Sequence, residues 1–389
     1  MRPFNRQFSL RRVLVAPNAF KGTLTAVEAA EAIAAGIRRF RPSAEIILHP
    51  VSDGGEGLLA LLAPAMGCTI ETAVVSGPLP AQRVKARWGW CSGKAIIESA
   101  EAAGLLLIPE KDRNPLLTST YGVGELIRAA LEQGAKELII GLGGSGTNDG
   151  GSGMAAALGV EFRDSTGKLL APGGAALLDC CSIDTARLDP RLSQLAVRAA
   201  CDVTNPLLGT HGATKTYGPQ KGADPETIDR LEAALCNYAS RLEKHLGRSV
   251  STLPGSGAAG GLGAGLLAFC HASLESGIDL VLEGTGFDRQ LEGADLVLTG
   301  EGRIDAQSGS GKAVDGVLRH SAARGVPVAA LSGASTAGVE AEFGKRFLAL
   351  GALASGRTTV EEAIGNAAQL LSQRTEELLL SICAQYEES

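Results

Sequence analysis

Carboxylate and amide side chains occur beside glycines in four polar segments of this sequence, and each segment follows an apolar run. The four pairs are Asp53 with Glu56, Asn148 with Asp149, Asp202 with Asn205, and Glu301 with Asp305. Glycine lets the backbone approach a phosphate, peptide N–H groups at helix starts bind anions, and carboxylates bind Mg²⁺. A single such segment is equally typical of a helix cap or a turn. Four together favour phosphoryl transfer, which requires all three features.

Positive charge is scarce in the chain, which carries 36 Lys and Arg against 42 Asp and Glu, a net charge of −6. This balance excludes the broad basic surface that nucleic-acid binding requires. Three lysines nevertheless lie close to the polar segments, namely Lys21, Lys221 and Lys312. An acidic protein has reason to place cations where phosphate charge must be neutralised, so these lysines are candidate phosphate ligands.

The elements that must position these residues indicate an α/β fold. Of 389 residues, 45% are hydrophobic, 4% are aromatic and 51 are glycine. The chain opens with two successive strand–loop–helix units, predicted over Arg12–Ala16, Ala26–Phe40, Glu45–Val51 and Leu58–Met66. Thr25 and Glu28 form a capping box before the first helix. Two such units predict a parallel sheet whose loops gather at the carboxyl ends of the strands, where open α/β sheets bind ligands.

A second domain is indicated by a change of pattern after residue 69. Apolar residues then alternate with polar ones, at Val84, Ala86, Trp88 and Trp90, as in half-exposed strands. The last third returns to α/β order, with strands predicted over Ala294–Thr299 and Val326–Leu331 and a final helix over Thr359–Tyr386. We therefore predict a discontinuous domain of residues 1–75 and 290–389 and an inserted α/β domain of residues 76–289.

Cysteine and histidine usage argues against a metal or disulfide scaffold. The eight cysteines contain no CxxC and the five histidines no HExxH, so we expect reduced thiols and no zinc site. Met1–Arg12 lacks the apolar core of a signal peptide, and no apolar run approaches about 20 residues. The sequence therefore predicts a cytoplasmic protein without membrane contact.

Two alternative functions remain open from the residues alone. Gly141–Gly146 fits GxGxxG, and Glu161 and Asp164 follow near the spacing of a ribose-binding acid, which would suit an NAD-dependent oxidoreductase. The match lies in the middle of the chain, however, and Thr147-Asn148-Asp149 occupies the position where an apolar helix should begin. The other alternative is a non-catalytic sugar-acid sensor, although no helix-turn-helix or basic patch offers it an output.

Long blocks of sequence resemble the type I glycerate kinases. The blocks are residues 16–23 (APNAFKGT), 51–57 (VSDGGEG), 141–153, 202–206, 217–223 (YGPQKGA), 257–265 and 299–305 (TGEGRID). The resemblance runs from about Arg12 to Gly333 and beyond. It implies a flavodoxin-like parallel-sheet domain built from both chain ends with a second α/β domain inserted. It also implies ATP-dependent phosphorylation of D-glycerate, usually on the 2-hydroxyl, with Mg²⁺. Asn18-Ala19 stands where Asp-Ser is frequent in that family, so no carboxylate role is assigned to position 18.

On this interpretation Lys21, Asp53 and Asp202 are the candidate catalytic residues. Lys21 and Lys312 would bind phosphate or carboxylate, Asp53 or Asp202 would act as base or position Mg²⁺, and Asp305 is a further metal candidate. The other candidate substrate and ATP ligands are Gly54, Gly55, Gly143, Gly144, Ser145, Thr147, Asn148, Asp149, Asn205, Lys221, Gly257, Gly260, Gly261, Glu301, Arg303 and Asp305. The expected partners are D-glycerate and ATP, and a homodimer is left open.

Overall fold

The computed structural model describes residues 10–55, 57–304, 313–335, 346–354 and 364–387. Its strands are β1 (Arg12–Pro17), β2 (Glu45–Leu48), β3 (Thr69–Ser76), β4 (Arg83–Cys91), β5 (Lys94–Glu98), β6 (Glu137–Gly141), β7 (Glu161–Arg163), β8 (Ser182–Asp184), β9 (Ala196–Ala200), β10 (Ser273–Glu275), β11 (Leu296–Ile304), β12 (Val328–Ser335) and β13 (Ala349–Ala352). Its α-helices are α1 (Ala26–Phe40), α2 (Leu58–Ala65), α3 (Ala100–Ala103), α4 (Tyr121–Glu132), α5 (Ser152–Ala157), α6 (Ala213–Tyr217), α7 (Pro225–Leu246), α8 (Ala258–Phe269), α9 (Gly277–Thr285), α10 (Phe287–Gln290), α11 (Ala313–Ala323) and α12 (Ala367–Glu387).

The chain divides into two compact units. A terminal unit contains residues 1–53 and 278–389, and a central unit contains residues 54–277. The insertion therefore begins at Gly54 and ends at Gly277 rather than at the predicted residues 76 and 289. The difference at the first boundary arises because β3 pairs along its whole length with β4, from Thr69 opposite Trp90 to Ser76 opposite Arg83. That pairing places β3, and α2 before it, in the central unit.

The terminal unit is built on a five-stranded sheet in the order β2-β1-β11-β12-β13, and every pair is parallel. Renumbered within this unit, the order is 2-1-3-4-5, the flavodoxin arrangement. Val13, Leu14 and Val15 are fully buried, as expected for a central parallel strand covered on both faces. The predicted flavodoxin-like α/β fold is confirmed, and the strand order reverses between β1 and β11.

Helix α1 begins as the sequence predicts. Thr25 caps it by accepting from the Glu28 N–H, while the Glu28 carboxylate accepts from the Thr25 N–H, which completes the capping box. Its apolar face packs against α12. A Cβ at Gly36 would lie 2.3 Å from the Ser372 carbonyl oxygen, so glycine at this position permits the close approach of the two helices.

The central unit carries a six-stranded sheet in the order β10-β9-β6-β5-β4-β3, with β7 and β8 forming a separate hairpin. The pairs from β10 to β5 are parallel, whereas β5-β4-β3 is an antiparallel meander. Ala86 and Trp88 are buried, and Lys85 and Arg87 between and beside them are exposed or half-exposed, which confirms the predicted alternation. The carboxyl ends of β5, β6 and β9 lie at one edge of this sheet.

A disulfide joins Cys68 and Cys91, whose Cα atoms are 4.4 Å apart. The expectation that the cysteines remain thiols is wrong for this pair. The strand register gives the reason, because Thr69 lies opposite Trp90 and the two cysteines flank that pair on adjacent antiparallel strands. Cys180 and Cys270 are buried and form no disulfide. Among the described helices, none is long and apolar enough to cross a membrane.

Candidate active site

The loop after β1 carries Lys21 at the carboxyl edge of the terminal sheet. The Asn18 N–H donates to the Gly300 carbonyl at 2.8 Å, which ties the start of the loop to β11. Phe20 is buried, and Thr23 and Leu24 donate their N–H groups to its carbonyl, so the loop folds back tightly. Lys21 is left at the tip with its side chain 83% exposed. An exposed lysine at the point where strand order reverses is well placed to meet an anionic ligand.

Asp53 lies beside Lys21. The chain continues alongside β1 beyond β2, because the N–H groups of His49 and Val51 donate to the carbonyls of Val15 and Pro17. This brings the Asp53 carboxylate to 3.9 Å from the Lys21 Nζ, with the Asp53 side chain 26% exposed. An exposed ion pair of this length contributes little to stability. Breaking this ion pair to bind a ligand would therefore cost little energy.

Glu301 and Arg303 lie on β11 itself, which extends to Ile304 although the sequence predicted a loop from Gly300. Glu301 is 7% exposed, whereas Arg303 is exposed. A Cβ at Gly302, between these two residues, would lie 3.2 Å from the backbone nitrogen of Lys21. This part of β11 therefore lies against the Lys21 loop. The structure thus brings together Lys21, Asp53 and the end of β11. Glu56, Asp305 and Lys312 lie outside the described residues.

In the central unit, the loop after β6 presents backbone rather than side chains. Gly143 and Gly144 are accessible, and Gly144 adopts a φ of +71°. Leu105 donates to the Gly144 carbonyl and Gly146 donates to the Ala103 carbonyl, which fixes the loop against the residues after β5. Within the described residues, the N–H groups of Gly143, Gly144 and Ser145 have no hydrogen-bond acceptor among the protein bonds. Successive N–H groups in such a turn form an anion-binding concavity.

The side chains that follow in this loop point inward. Asp149 is fully buried and accepts hydrogen bonds from the Thr120 N–H and hydroxyl and from the N–H groups of Gly151 and Gly153, at 2.8–3.2 Å. Burial raises the pKa of this carboxyl group. Asn148 is also fully buried, and its Nδ2 donates to the Thr214 hydroxyl at 3.0 Å. Thr147 has no exposed surface. These three predicted ligand side chains are therefore parts of the interior.

The glycine-rich segment Gly257–Gly261 packs against the end of the loop after β6. The Gly150 N–H donates to the Gly260 carbonyl at 3.0 Å. A Cβ at Gly260 would lie 2.0 Å from the Thr147 carbonyl oxygen, and one at Gly261 would lie 2.7 Å from the Gly150 Cα. Gly257, which donates to the Asn205 carbonyl, is buried as well. Glycine is required at these positions for close backbone packing, and their contact with a ligand stays a prediction.

Asp202 and Asn205 follow β9, and their side chains differ in the hydrogen bonds that they make. Both polar groups of the Asn205 side chain are engaged. Its Oδ1 accepts from the Tyr217 hydroxyl at 2.8 Å, and its Nδ2 donates to the His211 carbonyl at 2.7 Å. Asp202 is half-buried, and its Oδ1 accepts from the Gly277 N–H at 2.8 Å. A Cβ at Gly54 would lie 2.6 Å from the Cα of Gly277, the residue that donates to Asp202, so the buried Gly54 packs beside this hydrogen bond.

Lys221, which the sequence suggested as a phosphate ligand, is buried. It is 2% exposed, and its Nζ donates to the Thr147 carbonyl at 2.7 Å. Burial lowers the pKa of Lys221 to about 8, while the nearby Asp149 charge acts in the opposite direction. A lysine enclosed in this way cannot contact a phosphate directly.

Sequence reasoning missed Glu98, at the carboxyl end of β5. Glu98 is 9% exposed, and its carboxylate accepts from the Leu59 N–H at 2.6 Å, at the start of α2. Burial raises the pKa of this carboxyl group. It thus holds the start of α2 to the carboxyl edge of the central sheet. An acid that ends an apolar strand, as in Lys94–Glu98, is the signal that could have identified it.

The dinucleotide alternative fits the local structure poorly. Strand β6 ends at Gly141 and α5 begins only at Ser152, so no helix starts at the glycines of the fingerprint. Glu161 is paired with Arg163 and Arg187, and Asp164 closes a turn by accepting from Thr166 and Lys168.

Among the described residues, no group of three or more His, Cys, Asp or Glu side chains is arranged to hold a metal ion.

Comparison with known proteins agrees with this arrangement of elements. The glycerate kinase family profile matches residues 13–383. A glycerate kinase of Halalkalibacterium halodurans is 43% identical over 94% of this chain and 96% of its own. A glycerate 2-kinase of Escherichia coli is 45% identical over 84% of this chain and 86% of its own.

A solved structure extends the agreement to three dimensions. The crystal structure of a Salmonella typhimurium LT2 protein provisionally assigned as glycerate kinase 2 superposes with a TM-score of 0.83 at 41% identity, covering 97% of this chain and 100% of that one. A family profile and relatives that span nearly the whole chain leave one conclusion, that this chain belongs to the glycerate kinase family.

Proposed function

We propose that this protein transfers the γ-phosphoryl group of ATP to a hydroxyl of D-glycerate, with the 2-hydroxyl favoured, giving 2-phosphoglycerate and ADP. Family membership supports the reaction class, and the name of the Escherichia coli relative supports the 2-hydroxyl. The observation that carries the proposal is the pair formed by Lys21 and Asp53 at the point where the flavodoxin-like strand order reverses.

Asp53 is the proposed general base. Its partly exposed carboxylate would accept the proton of the glycerate hydroxyl as that oxygen attacks the γ-phosphorus. The new phosphorus–oxygen bond forms while the bond to the β,γ-bridging oxygen breaks, and the electron pair leaves with ADP. Asp202 is the second candidate for this role, because its half-buried carboxylate is oriented by the hydrogen bond from the Gly277 N–H.

Positive charge and N–H groups would hold the anionic ligands. Lys21 is exposed beside Asp53, so its ammonium can bind phosphate or the substrate carboxylate. Arg303 is exposed on the adjoining strand, and its planar guanidinium suits bidentate binding of a carboxylate. In the central unit, the N–H groups of Gly143, Gly144 and Ser145 are the proposed phosphate ligands.

The donor set also fits Mg²⁺. This ion is usually bound by one or two carboxylates together with substrate phosphates, so a dedicated cage of protein ligands is not required. The half-buried carboxylate of Asp202 or the carboxylate of Asp53 would hold it, and Asp305 is a further proposed ligand. When bound, Mg²⁺ supplies neutralisation of the charge on the β- and γ-phosphate oxygens.

The test is ADP release from ATP and Mg²⁺ in the presence of D-glycerate. L-glycerate and a reaction without acceptor serve as controls, because a kinase specific for D-glycerate should exceed both. Turnover that depends on D-glycerate supports the proposal. A folded protein that releases no more ADP with D-glycerate than without it contradicts the proposal, and titration with NAD(H) would then test the oxidoreductase alternative.

A further inference from the structure

Lys221 is a buried cation placed under the candidate phosphate-binding loop. Lysine is rarely buried without a partner, yet Lys221 is 2% exposed in the short turn Pro219–Lys221 that follows α6. Its Nζ lies 2.7 Å from the Thr147 carbonyl oxygen and 3.4 Å from the Ser145 hydroxyl. Both contacts are with the loop after β6, which is more than 70 residues away in sequence.

The turn that carries Lys221 is fixed by its own backbone. The Lys221 N–H donates to the Gly218 carbonyl at 3.0 Å. Gly222 then adopts a φ of +92°, and a Cβ there would lie 2.6 Å from the Arg113 carbonyl oxygen. Because glycine alone tolerates that conformation and that contact, the direction of the Lys221 side chain is determined by the turn.

The second half of the loop is thus held on its buried side by two charged groups. Lys221 binds the carbonyl of Thr147, and two residues later Asp149 binds the N–H groups of Thr120, Gly151 and Gly153. The buried Asp149 charge also acts on the buried Lys221 ammonium, because it raises the pKa of Lys221 against the larger lowering effect of burial. In the same loop, the N–H groups of Gly143, Gly144 and Ser145 have no acceptor among the described residues, and Gly143 and Gly144 are accessible.

We propose that Lys221 is a positioning residue, whose ammonium group holds Gly143–Thr147 in the conformation that presents three N–H groups to the phosphates of ATP. This inference rests on the proposed function, and it assigns Lys221 to the nucleotide rather than to glycerate. Lys221 itself touches no phosphate, since its Nζ is enclosed by the loop that it supports.

The experiment compares Lys221→Met, which removes the ammonium but keeps the length of the side chain, with Lys244→Met. Lys244 is an exposed lysine of α7 in the same unit and serves as the matched control. We expect Lys221→Met to raise the KM for ATP and the Kd for ADP by about 10- to 100-fold, the usual effect of losing a charged hydrogen bond. The KM for D-glycerate should change by less than about threefold. Lys244→Met should resemble the wild type in every quantity.

Three results would overturn the inference: an unchanged Kd for ADP in folded Lys221→Met, equal increases in both KM values, or an equal effect of Lys244→Met. If Lys221→Met does not fold, Lys221→Gln, which keeps an N–H donor but removes the charge, is measured against the same criteria. Calorimetric ADP binding separates this inference from the proposed function. Weakened ADP binding in a protein that does not phosphorylate D-glycerate would refute the function alone, whereas normal ADP binding in an active enzyme would refute the positioning role alone.

Discussion

The two units of this protein place similar sequence patterns in opposite orientations. In the terminal unit, the loops after β1 and β2 leave the side chain of Lys21 exposed and that of Asp53 partly exposed. In the central unit, the loop after β6 buries Asn148 and Asp149 completely and leaves the backbone of Gly143 and Gly144 accessible. An acid beside glycines can therefore serve as a reactive side chain or as an internal support for a backbone site. The surrounding packing decides between the two.

The largest effect is expected at Asp53, where the side chain itself should act. Asp53→Asn keeps the shape but cannot accept the proton, so kcat should fall by about 10²- to 10⁴-fold, the usual contribution of a general base. Because the side chain is partly exposed, the thermal unfolding temperature should stay close to that of the wild type. Steady-state kinetics and calorimetry of the purified variant measure both quantities.

Asp202→Asn distinguishes the two candidate bases in the same assay. Near-full turnover in both variants, with the fold unchanged, would show that neither carboxylate carries the reaction.

Asp149→Ala should show the opposite behaviour, a loss of stability in the central unit. The substitution leaves the buried N–H groups of Thr120, Gly151 and Gly153 without their acceptor. We expect a loss of about 3–5 kcal/mol in the free energy of unfolding of that unit. Urea unfolding followed by circular dichroism measures it, with Asp164→Ala at an exposed turn as the control. A stable Asp149→Ala variant with impaired turnover alone would break the contrast between the units.

His49 offers a pH-dependent test of the terminal unit. Burial lowers the pKa of His49 to about 4 from 6.5, and its Nε2 faces the Thr285 hydroxyl, which donates to the Val281 carbonyl. As the pH falls below 6.5, His49 becomes protonated in the unfolded chain but stays neutral in the folded protein. The free energy of unfolding therefore decreases down to about pH 4. The decrease attributable to His49 should reach about 3 kcal/mol.

His49→Gln supplies the reference for this measurement, since glutamine keeps an N–H donor but does not titrate in this range. The free energy of unfolding of the wild type, relative to this variant, should fall between pH 7 and pH 4.5. If the difference stays constant over that interval, the burial of a neutral imidazole is not coupled to folding.

The smallest contrast compares two glycines with positive φ. Gly22, in the Lys21 loop, has a φ of +81° and no atom within 4 Å of a new Cβ, so Gly22→Ala should cost only about 1 kcal/mol. Gly260 has a φ of +66°, and its Cβ would meet the Thr147 carbonyl at 2.0 Å. Gly260→Ala should therefore cost about 3 kcal/mol and weaken ATP binding. Equal stabilities of the two variants would mean that the loops are not packed as described.

Local sequence patterns predicted much of the terminal unit. The Thr25/Glu28 capping box gave the start of α1, and the apolar run before Pro17 gave β1. Strand β13 was missed because Ala349–Ala352 has no strand-forming side chains and is extended only through its pairing with β12. Helix α8 was missed because its glycines resemble a loop, although they are required where it packs against Gly150 and Gly151.

The sequence identified residues of the candidate site but did not show which of their side chains are buried and which are exposed. Lys21 and Asp53 were found because they lie in short loops directly after strands. The burial of Lys221, Asn148 and Asp149 depends on contacts with Thr147, Thr214 and Thr120, and no local pattern reports such contacts. The Cys68–Cys91 disulfide likewise follows from strand register rather than from cysteine spacing.

The most direct test of the central claim is phosphorus NMR of the reaction of ATP, Mg²⁺ and D-glycerate, carried out with the wild type and with Asp53→Asn. We predict that the wild type produces ADP and 2-phosphoglycerate, while Asp53→Asn, folded and able to bind ADP, produces neither at a comparable rate. Formation of no phosphoglycerate by the wild type, or undiminished formation by Asp53→Asn together with Asp202→Asn, would contradict the claim that a glycerate kinase acts here through these carboxylates.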